Sequence, residues 1–154
     1  MEYSSPYDMS KRLAIICDLD GTLANIDHRK HYVEKKGKKD WKNFFLEMSL
    51  DDLNDWCKKL LEQMSLRYDV ILCTGRPETF RQETEDWLKV HEIPYQRLLM
   101  RPAKDMRSDD EMKSSLYEQE IAPLYEIVFI VDDRPSAVNM WRKKGLVCLQ
   151  YQTP

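Results

Sequence analysis

The sequence lacks the features that mark membrane, secreted and zinc-finger proteins. No apolar run approaches the ~20 residues of a membrane span, and residues 1–11 contain no apolar secretion signal. None of the four cysteines forms a Cys-x-x-Cys pair. We therefore expect no membrane association, a cytoplasmic location, reduced cysteines and no structural zinc site. The cysteines are Cys17, Cys57, Cys73 and Cys148.

A strong excess of charge of one sign is also missing. The formal net charge is −3 and the pI is about 5.7, so binding to nucleic acid would require a local basic patch. The 154 residues, 42% hydrophobic and 33% charged, predict one globular domain. We place its core at about 12–150 and expect residues 1–10 to be flexible or peripheral.

Five short apolar runs predict the strands of a parallel sheet that is buried on both faces. They occupy 13–17, 68–73, 95–100, 127–131 and 146–149. Helical patterns lie between them: an apolar stripe from Leu53 to Met64, a stripe from Phe80 to Leu88 after Pro77, a face at 112–117, and a helix from Pro135 to near Gly145. This alternation predicts an α/β fold with a doubly wound, Rossmann-like parallel sheet.

Polar residues follow four of the predicted strands, where ligands of such sheets bind. Asp18 and Asp20 are two positions apart, so in an extended chain both carboxylates face one crevice and need a cation or a shared proton. Asp132 and Asp133 could add oxygen ligands for Mg²⁺. The alternative is that these acids cap helices or form turns. Candidate partners for a phosphoryl group are Thr74, Arg76, Arg101 and Lys113.

These motifs resemble those of the haloacid dehalogenase (HAD) superfamily. The matching parts, in order, are Asp18-Leu19-Asp20-Gly21-Thr22, Thr74-Gly75, Lys113 and Asp132-Asp133. Within the superfamily, the chain is similar to the 3′-phosphatase domains of phage polynucleotide kinase-phosphatases. That similarity spans 13–150, including Thr74-Gly75-Arg76, Met100-Arg101, the run from Asp105 to Lys113, and Asp132-Asp133-Arg134. It differs in having Thr74 where the phage enzyme has Ser, and the sequence has no P-loop and thus no kinase half.

The resemblance implies a phosphatase that forms an aspartyl-phosphate. Asp18 would be the nucleophile, Asp20 the general acid/base, and Lys113 a catalytic partner of the phosphoryl group. It further implies that Mg²⁺ is held by Asp18, Asp20 (through its carbonyl), Asp132 and Asp133. Phosphate or substrate binding is implied for Thr74, Gly75, Arg76, Arg29, Arg101 and Asp109, with Asp109 also orienting Lys113.

The segment 23–67 is long enough for a flap and one or two helices but not for a large cap domain. The resemblance implies that family members without a large cap leave the active-site crevice open to large substrates. It carries a basic cluster interleaved with Tyr32 and Trp41, a composition that suits single-stranded nucleic acid. A solvated loop, with Trp41 and Phe44 seating the next helix in the core, is the alternative. His28 and His31 are expected at the surface or near substrate. The cluster comprises Arg29, Lys30, Lys35, Lys36, Lys38, Lys39 and Lys42.

Three functional hypotheses therefore remain open. The first is a phosphatase acting on the 3′-phosphate ends of DNA or RNA, with a kinase or ligase partner acting in trans. The second is a HAD phosphatase acting on free nucleotides, like a 5′-nucleotidase. The third is a non-catalytic binding module, against which the intact set of Asp18, Asp20, Lys113 and Asp132 argues.

Overall fold

The computed structural model describes residues 4–154 and contains a five-stranded parallel sheet with helices on both faces. The strand order is β5-β4-β1-β6-β7, and every neighbouring pair is parallel. This confirms the predicted doubly wound fold. The strands are β1 (Arg12–Cys17), β4 (Asp69–Pro77), β5 (Arg97–Arg101), β6 (Tyr125–Asp132) and β7 (Cys148–Gln150).

A small insertion follows β1 and covers the carboxyl edge of the sheet. It contains a two-stranded antiparallel sheet and two short helices. The Asp40 side chain caps the second helix by accepting a hydrogen bond from the backbone N–H of Asn43 at 3.1 Å. Its size agrees with the expectation of a minimal cap. Its elements are β2 (Ala24–Asn25), α1 (His31–Glu34), α2 (Trp41–Leu46) and β3 (Asp52–Leu53).

The four longer helices cover the two faces of the five-stranded sheet. Alternate β1 residues supply the two faces: Ile15 packs in one apolar cluster with α3 and α4, and Ile16 packs in the other with α5 and α6. Pro135 occupies the first turn of α6, and Gly145 follows that helix with φ +80°, as the sequence predicted. The helices are α3 (Asp55–Met64), α4 (Arg81–Val90), α5 (Asp109–Leu116) and α6 (Pro135–Lys143).

Two local predictions were wrong. Pro77 ends strand β4 instead of opening a helix, and α4 begins only at Arg81 after an intervening 3₁₀ turn. Leu53 lies in β3, where its partner is Ala24, so it does not belong to the stripe of α3. In both cases a residue assigned to a helix from apolar periodicity lies in an extended strand instead.

The remaining general predictions concern the cysteines, the N-terminus and membranes. All four cysteines are free and buried. Residues 4–10 lie mostly exposed, whereas the first three residues of the predicted peripheral segment fall outside the described part. Among residues 4–154, no helix has both the length and the apolar character needed to cross a membrane.

Candidate active site

The carboxyl ends of β1 and β6 bring three carboxylates together. Asp18 follows β1, Asp132 ends β6 and Asp133 follows it. One carboxylate oxygen from each residue lies within 4.8 Å of the others. Asp18 and Asp132 are only 5% and 1% exposed. This is the strand-end cluster that the sequence predicted, and such closely spaced buried carboxylates require positive charge.

Lys113 supplies part of that positive charge. It projects from α5, is 1% exposed, and donates hydrogen bonds to Asp18 Oδ1 at 2.9 Å and Asp132 Oδ2 at 3.0 Å. Its ammonium group is also 3.3 Å from Asp109 Oδ2. Burial alone would lower the pKa of Lys113, but the three carboxylates outweigh burial and raise that pKa well above its usual value. Lys113 is therefore a fixed cation in the floor of the site.

One lysine does not neutralise the whole cluster. Burial, reinforced by the charges of Asp132 and Asp133, raises the pKa of Asp18 well above its ordinary value despite the opposing effect of Lys113. Burial likewise raises the pKa of Asp133, with Asp132 contributing. The arrangement thus favours binding of an additional proton or cation.

Two neighbours fix the orientation of these acids, and the sequence analysis assigned a role to neither. The hydroxyl of Thr22 lies 3.3 Å from Asp18 Oδ2 and 3.4 Å from Asp133 Oδ1. The indole N–H of Trp141, on α6, donates to Asp132 Oδ2 at 3.2 Å. Trp141 is fully buried, so its polar atom needs a partner, and that requirement ties helix packing to the acidic cluster.

Asp20 has an environment different from that of Asp18. Its Oδ1 accepts hydrogen bonds from Arg29 Nη2 at 2.8 Å and from Arg76 Nε and Nη2 at 2.9 and 2.7 Å. Burial alone would raise the pKa of Asp20, but the two guanidinium groups outweigh burial and lower it. The two neighbouring acids therefore have pKa values shifted in opposite directions, as is common when two carboxyl groups perform different tasks.

Arg29 and Arg76 bind protein carboxylates in this structure. Both are 0% exposed, and their guanidinium groups contact Asp20 and Asp51. Contact with phosphate or substrate, the role expected from the sequence, stays a prediction. Arg29 is also separated from the solvated basic cluster in which it was counted, because its guanidinium packs 4.3 Å from the Phe44 ring centroid. In this structure both arginines position Asp20.

Asp51 is the principal site residue that the sequence analysis missed. Its carboxylate binds Arg29 at 2.5 and 2.6 Å and Arg76 at 3.0 Å, and its side chain is completely buried. His28 Nε2 lies 2.7 Å from Asp51 Oδ1, which places this histidine in the same network. Two buried arginines require more than one carboxylate, which explains the position of Asp51, but no local pattern in the sequence indicates that Arg29 and Arg76 are buried.

The remaining predicted site residues lie beside this network. Thr74 is buried, and its Oγ1 accepts a hydrogen bond from the backbone N–H of Arg76 at 3.1 Å. Arg101 donates from Nε to the carbonyl of Gly75 at 3.0 Å and reaches within 4.0 Å of Asp109. A methyl group on Gly75 would collide with Asp109 Oδ1. Glycine thus permits Asp109 to approach closely while it contacts Lys113.

An open cavity of about 460 Å³ lies above these residues. Asp18, Asp20 and Asp133 contribute to its polar wall. Helix α2 of the insertion contributes an aromatic wall through Trp41, Phe44 and Phe45. Other elements contribute Arg101, Met106, Arg107, Asp109 and Arg134. The cavity is large enough for a small organic ligand or one terminal unit of a polymer.

The aromatic residues of helix α2 agree only in part with the alternative that the basic segment is a solvated loop. Phe44 is 5% exposed and seats the helix, as the solvated-loop alternative expected, whereas Trp41 is 44% exposed and faces the cavity. Lys42 lines the cavity beside Trp41. The other lysines of the loop between α1 and α2 are exposed, namely Lys35, Lys36, Lys38 and Lys39.

Comparison with known proteins identifies the family. Residues 12–154 match the family model described as the polynucleotide kinase PNKP phosphatase domain. The chain belongs to this family. A proposed bifunctional polynucleotide kinase/RNA ligase of Autographa californica nuclear polyhedrosis virus is 32% identical over 159 residues, which cover 97% of this chain and 21% of that protein. This PNKP-type domain therefore spans about a fifth of that relative.

Solved structures agree with the assignment. A chain in the structure of the Pnkp1/Rnl/Hen1 RNA repair complex is 35% identical, with a TM-score of 0.82 over 96% of this chain and 44% of that chain. A HAD-like hydrolase, SP0104 of Streptococcus pneumoniae, is 18% identical with a TM-score of 0.57, covering 93% of this chain and 85% of that one. The second match supports the fold alone. Together with the family model, these matches identify a HAD phosphatase domain of the PNKP type.

Proposed function

We propose that this domain is a Mg²⁺-dependent phosphomonoesterase that removes the 3′-phosphate from polynucleotide ends. The observation that carries the proposal is the position of Asp18, which lies at the convergence of β1 and β6, bound to Lys113 and open to the cavity. Membership of the PNKP phosphatase family supports a polynucleotide end over other phosphomonoesters. The choice of a polynucleotide as the substrate is based on the family membership and on the aromatic and basic residues that line the cavity.

The donor set fits magnesium. Asp18, Asp132 and Asp133 present hard oxygen atoms within 4.8 Å of one another, as Mg²⁺ requires. The raised pKa values of Asp18 and Asp133 indicate negative charge that Lys113 does not fully offset. We infer that these three carboxylates hold the ion, with Asp20 contributing its main-chain carbonyl. Bound Mg²⁺ would neutralise charge on the phosphoryl oxygens and on the nucleophile.

The chain's own groups can perform the two chemical steps. In the first, an Asp18 oxygen forms a bond to phosphorus, the bond from phosphorus to the leaving oxygen breaks, and Asp20 gives that oxygen a proton. In the second, water attacks phosphorus and gives a proton to Asp20, while the bond to Asp18 breaks and inorganic phosphate leaves. Lys113 stabilises charge on the phosphoryl group throughout.

The geometry of Asp20 suits a group that must be protonated and then deprotonated. Arg29 and Arg76 donate only to Oδ1, and no other residue in 4–154 donates to Oδ2. Oδ2 is therefore the oxygen that would carry the proton. The two arginines fix the carboxyl plane. Because their positive charge lowers the pKa of Asp20, the proton that Asp20 gives in the first step must be taken up from solvent, and the ionised form then accepts a proton from the attacking water in the second step.

Free nucleotides are the second candidate substrates, because the cavity volume would accommodate one nucleotide. The exposed lysines between α1 and α2 favour a polynucleotide, since they could contact phosphates beyond the terminal one. Because the chain is only part of the length of its viral relative, we propose that a polynucleotide kinase or RNA ligase activity acts with this domain, in trans or on a connected chain.

The test is a panel of phosphomonoesters assayed with Mg²⁺. We expect phosphate release from 3′-phosphorylated DNA or RNA oligonucleotides, with lower kcat/KM for 3′-mononucleotides and little release from 5′-mononucleotides. Asp18→Asn is the catalytically disabled control, and removal of Mg²⁺ by EDTA should silence the enzyme. Activity confined to free 5′-mononucleotides would overturn the polynucleotide assignment.

A further inference from the structure

We propose that Trp41 and Met106, which both line the cavity, form a binding site for the nucleobase of the terminal nucleotide whose phosphate faces Asp18. The inference rests on the proposed function and specifies how the same site would select its substrate. It assigns the base to the aromatic side chain of α2 and the thioether of the loop between β5 and α5.

Trp41 is the exposed end of a stack of aromatic rings. Its indole stacks on Phe45 with a centroid separation of 5.9 Å and an interplanar angle of 21°, and Phe45 lies 5.5 Å from Phe80. Trp41 also makes a T-shaped contact with Phe44 at a centroid separation of 5.6 Å, and Lys39 Nζ lies 5.6 Å from the indole centroid. These contacts fix the ring, yet Trp41 remains 44% exposed and lines the cavity. A fixed, accessible indole is a suitable platform for a planar base.

Met106 also lines the cavity and is 93% exposed. Its loop is braced, because Arg101 Nη1 donates to the carbonyl of Arg107 at 2.6 Å. Arg101 Nε binds the carbonyl of Gly75, so the same side chain ties the loop to β4. Asp105 binds the backbone N–H and the guanidinium of Arg107. The Met106 thioether is therefore presented to the cavity by an anchored loop, and such a side chain packs readily against a flat π surface.

The charges around the two walls favour a nucleotide over an uncharged aromatic ligand. Lys42, Arg107 and Arg134 line the same cavity and can meet phosphate oxygens. The floor is the acidic cluster with Lys113, where the scissile phosphate would react. A ligand that combines a flat apolar ring system with anionic groups matches this combination of lining residues.

Base stacking is tolerant of sequence, because every base presents a π surface. The site should therefore discriminate between a terminal nucleotide that has a base and one that lacks it, with little preference among the four bases. This property separates the proposed site from a pocket that recognises one base by hydrogen bonds.

The test compares two 3′-phosphorylated oligonucleotides, one ending in a normal nucleotide and one ending in an abasic tetrahydrofuran residue. We expect the wild-type kcat/KM to be higher for the normal end by about 5- to 150-fold, the range for stacking of one base. Trp41→Ala should lower kcat/KM for the normal end towards the abasic value and leave the abasic value nearly unchanged. Trp41→Phe should retain most of the preference.

Two further variants keep the test independent of folding defects. Met106→Ala changes a side chain that is 93% exposed and should reduce the preference for the normal end several-fold. Leu46→Ala, also on α2 and 56% exposed but outside the cavity wall, is the matched control and should keep the wild-type preference.

Several results would overturn the inference. A wild-type enzyme that hydrolyses both ends equally has no base site, although its 3′-phosphatase function would stand. Trp41→Ala and Met106→Ala variants that keep the wild-type preference would assign the base to other residues. A wild-type enzyme that fails on both oligonucleotides but hydrolyses a small aryl phosphate would refute the proposed function, and the base site with it.

Discussion

Asp51 binds the same two guanidinium groups that hold Asp20. Arg29 and Arg76 lie between the two carboxylates, with contacts of 2.7–2.9 Å to Asp20 and 2.5–3.0 Å to Asp51. The network links the insertion to β4 and to the residues that follow β1. The geometry of Asp20, the proposed general acid/base, therefore depends on Asp51, which reaches Asp20 only through the two arginines.

The first prediction concerns Asp51 as a positioning residue. Asp51→Ala should lower the free energy of unfolding by about 3–5 kcal/mol, since it removes one of the two carboxylates that bind the buried guanidinium groups and leaves Asp20 to pair with both. Asp51→Asn should be milder in stability and should lower kcat more than it changes KM, because it loosens Asp20 without removing a substrate contact. Chemical denaturation and steady-state kinetics measure the two effects.

The neighbouring residue supplies the control for this prediction. Asp52 is exposed and adjacent in sequence, so Asp52→Asn should change neither stability nor kcat appreciably. Equal effects of Asp51→Asn and Asp52→Asn would refute a specific role for the buried network.

The second prediction is that Asp18→Asn trades activity for stability. Turnover should fall by at least about 10³-fold, because the nucleophile is lost. Since the pKa of Asp18 is raised in the folded state, mainly by burial, its tendency to ionise opposes folding, and this cost grows as the pH rises above the ordinary carboxyl pKa towards the raised one. The neutral amide removes this cost, so without metal the variant should melt at a higher temperature than the wild type.

The pH dependence of the melting temperature tests whether the charge of Asp18 destabilises the folded state. The difference in melting temperature should be larger at neutral pH and should shrink as the pH falls towards the ordinary carboxyl pKa, because Asp18 is then protonated in the unfolded chain as well as in the folded one. Retention of near-normal turnover would show that Asp18 is not the nucleophile. A variant that melts below the wild type at neutral pH would contradict the electrostatic assignment.

The third prediction is that Mg²⁺ binding releases protons. The raised pKa values of Asp18 and Asp133 mean that the metal-free cluster retains protons more strongly than isolated carboxyl groups do. A cation must displace any proton that is bound, so Mg²⁺ affinity should fall as the pH is lowered. Calorimetric titrations in two buffers of different ionisation enthalpy would measure the proton release. Affinity that stays constant as the cluster becomes protonated would contradict the proposed ligands.

The sequence was sufficient to predict the parallel sheet and the convergence of its polar strand ends. Buried parallel strands are continuous apolar runs, and the topology that they imply brings the ends of β1 and β6 together. Strand β4 was predicted too short because Thr74 and Arg76 are polar residues buried within its extension. Periodicity cannot distinguish a buried polar strand end from a loop.

The arginine network could not be predicted from the same patterns. Arg29 precedes several lysines and looks like one more residue of a solvated cluster, whereas its burial depends on Asp20 and Asp51, which are distant in sequence. Asp51 and Asp52 are chemically identical neighbours, and only the turn of the chain into β3 decides which one is buried. Long-range charge pairing selects these roles, and it leaves no local periodic signal.

The fourth prediction concerns Gly21, whose φ of +85° and closeness to Asp133 both exclude a larger side chain. A Cβ there would lie 2.7 Å from Asp133 Cγ and closer still to Oδ2, so Gly21→Ala must displace that carboxylate. Gly145→Ala is the matched control, because its φ of +80° imposes similar backbone strain of about 1 kcal/mol with no atom within 4 Å.

We therefore expect Gly21→Ala to weaken Mg²⁺ binding and raise the metal concentration needed for half-maximal activity by about tenfold, the lower end of the effect of disturbing a supporting metal-site residue. Gly145→Ala should lower the melting temperature slightly and leave the metal requirement unchanged. Calorimetry and activity measured against Mg²⁺ concentration distinguish the two variants. A metal requirement shifted equally in both would mean that backbone strain, and not the position of Asp133, governs the site.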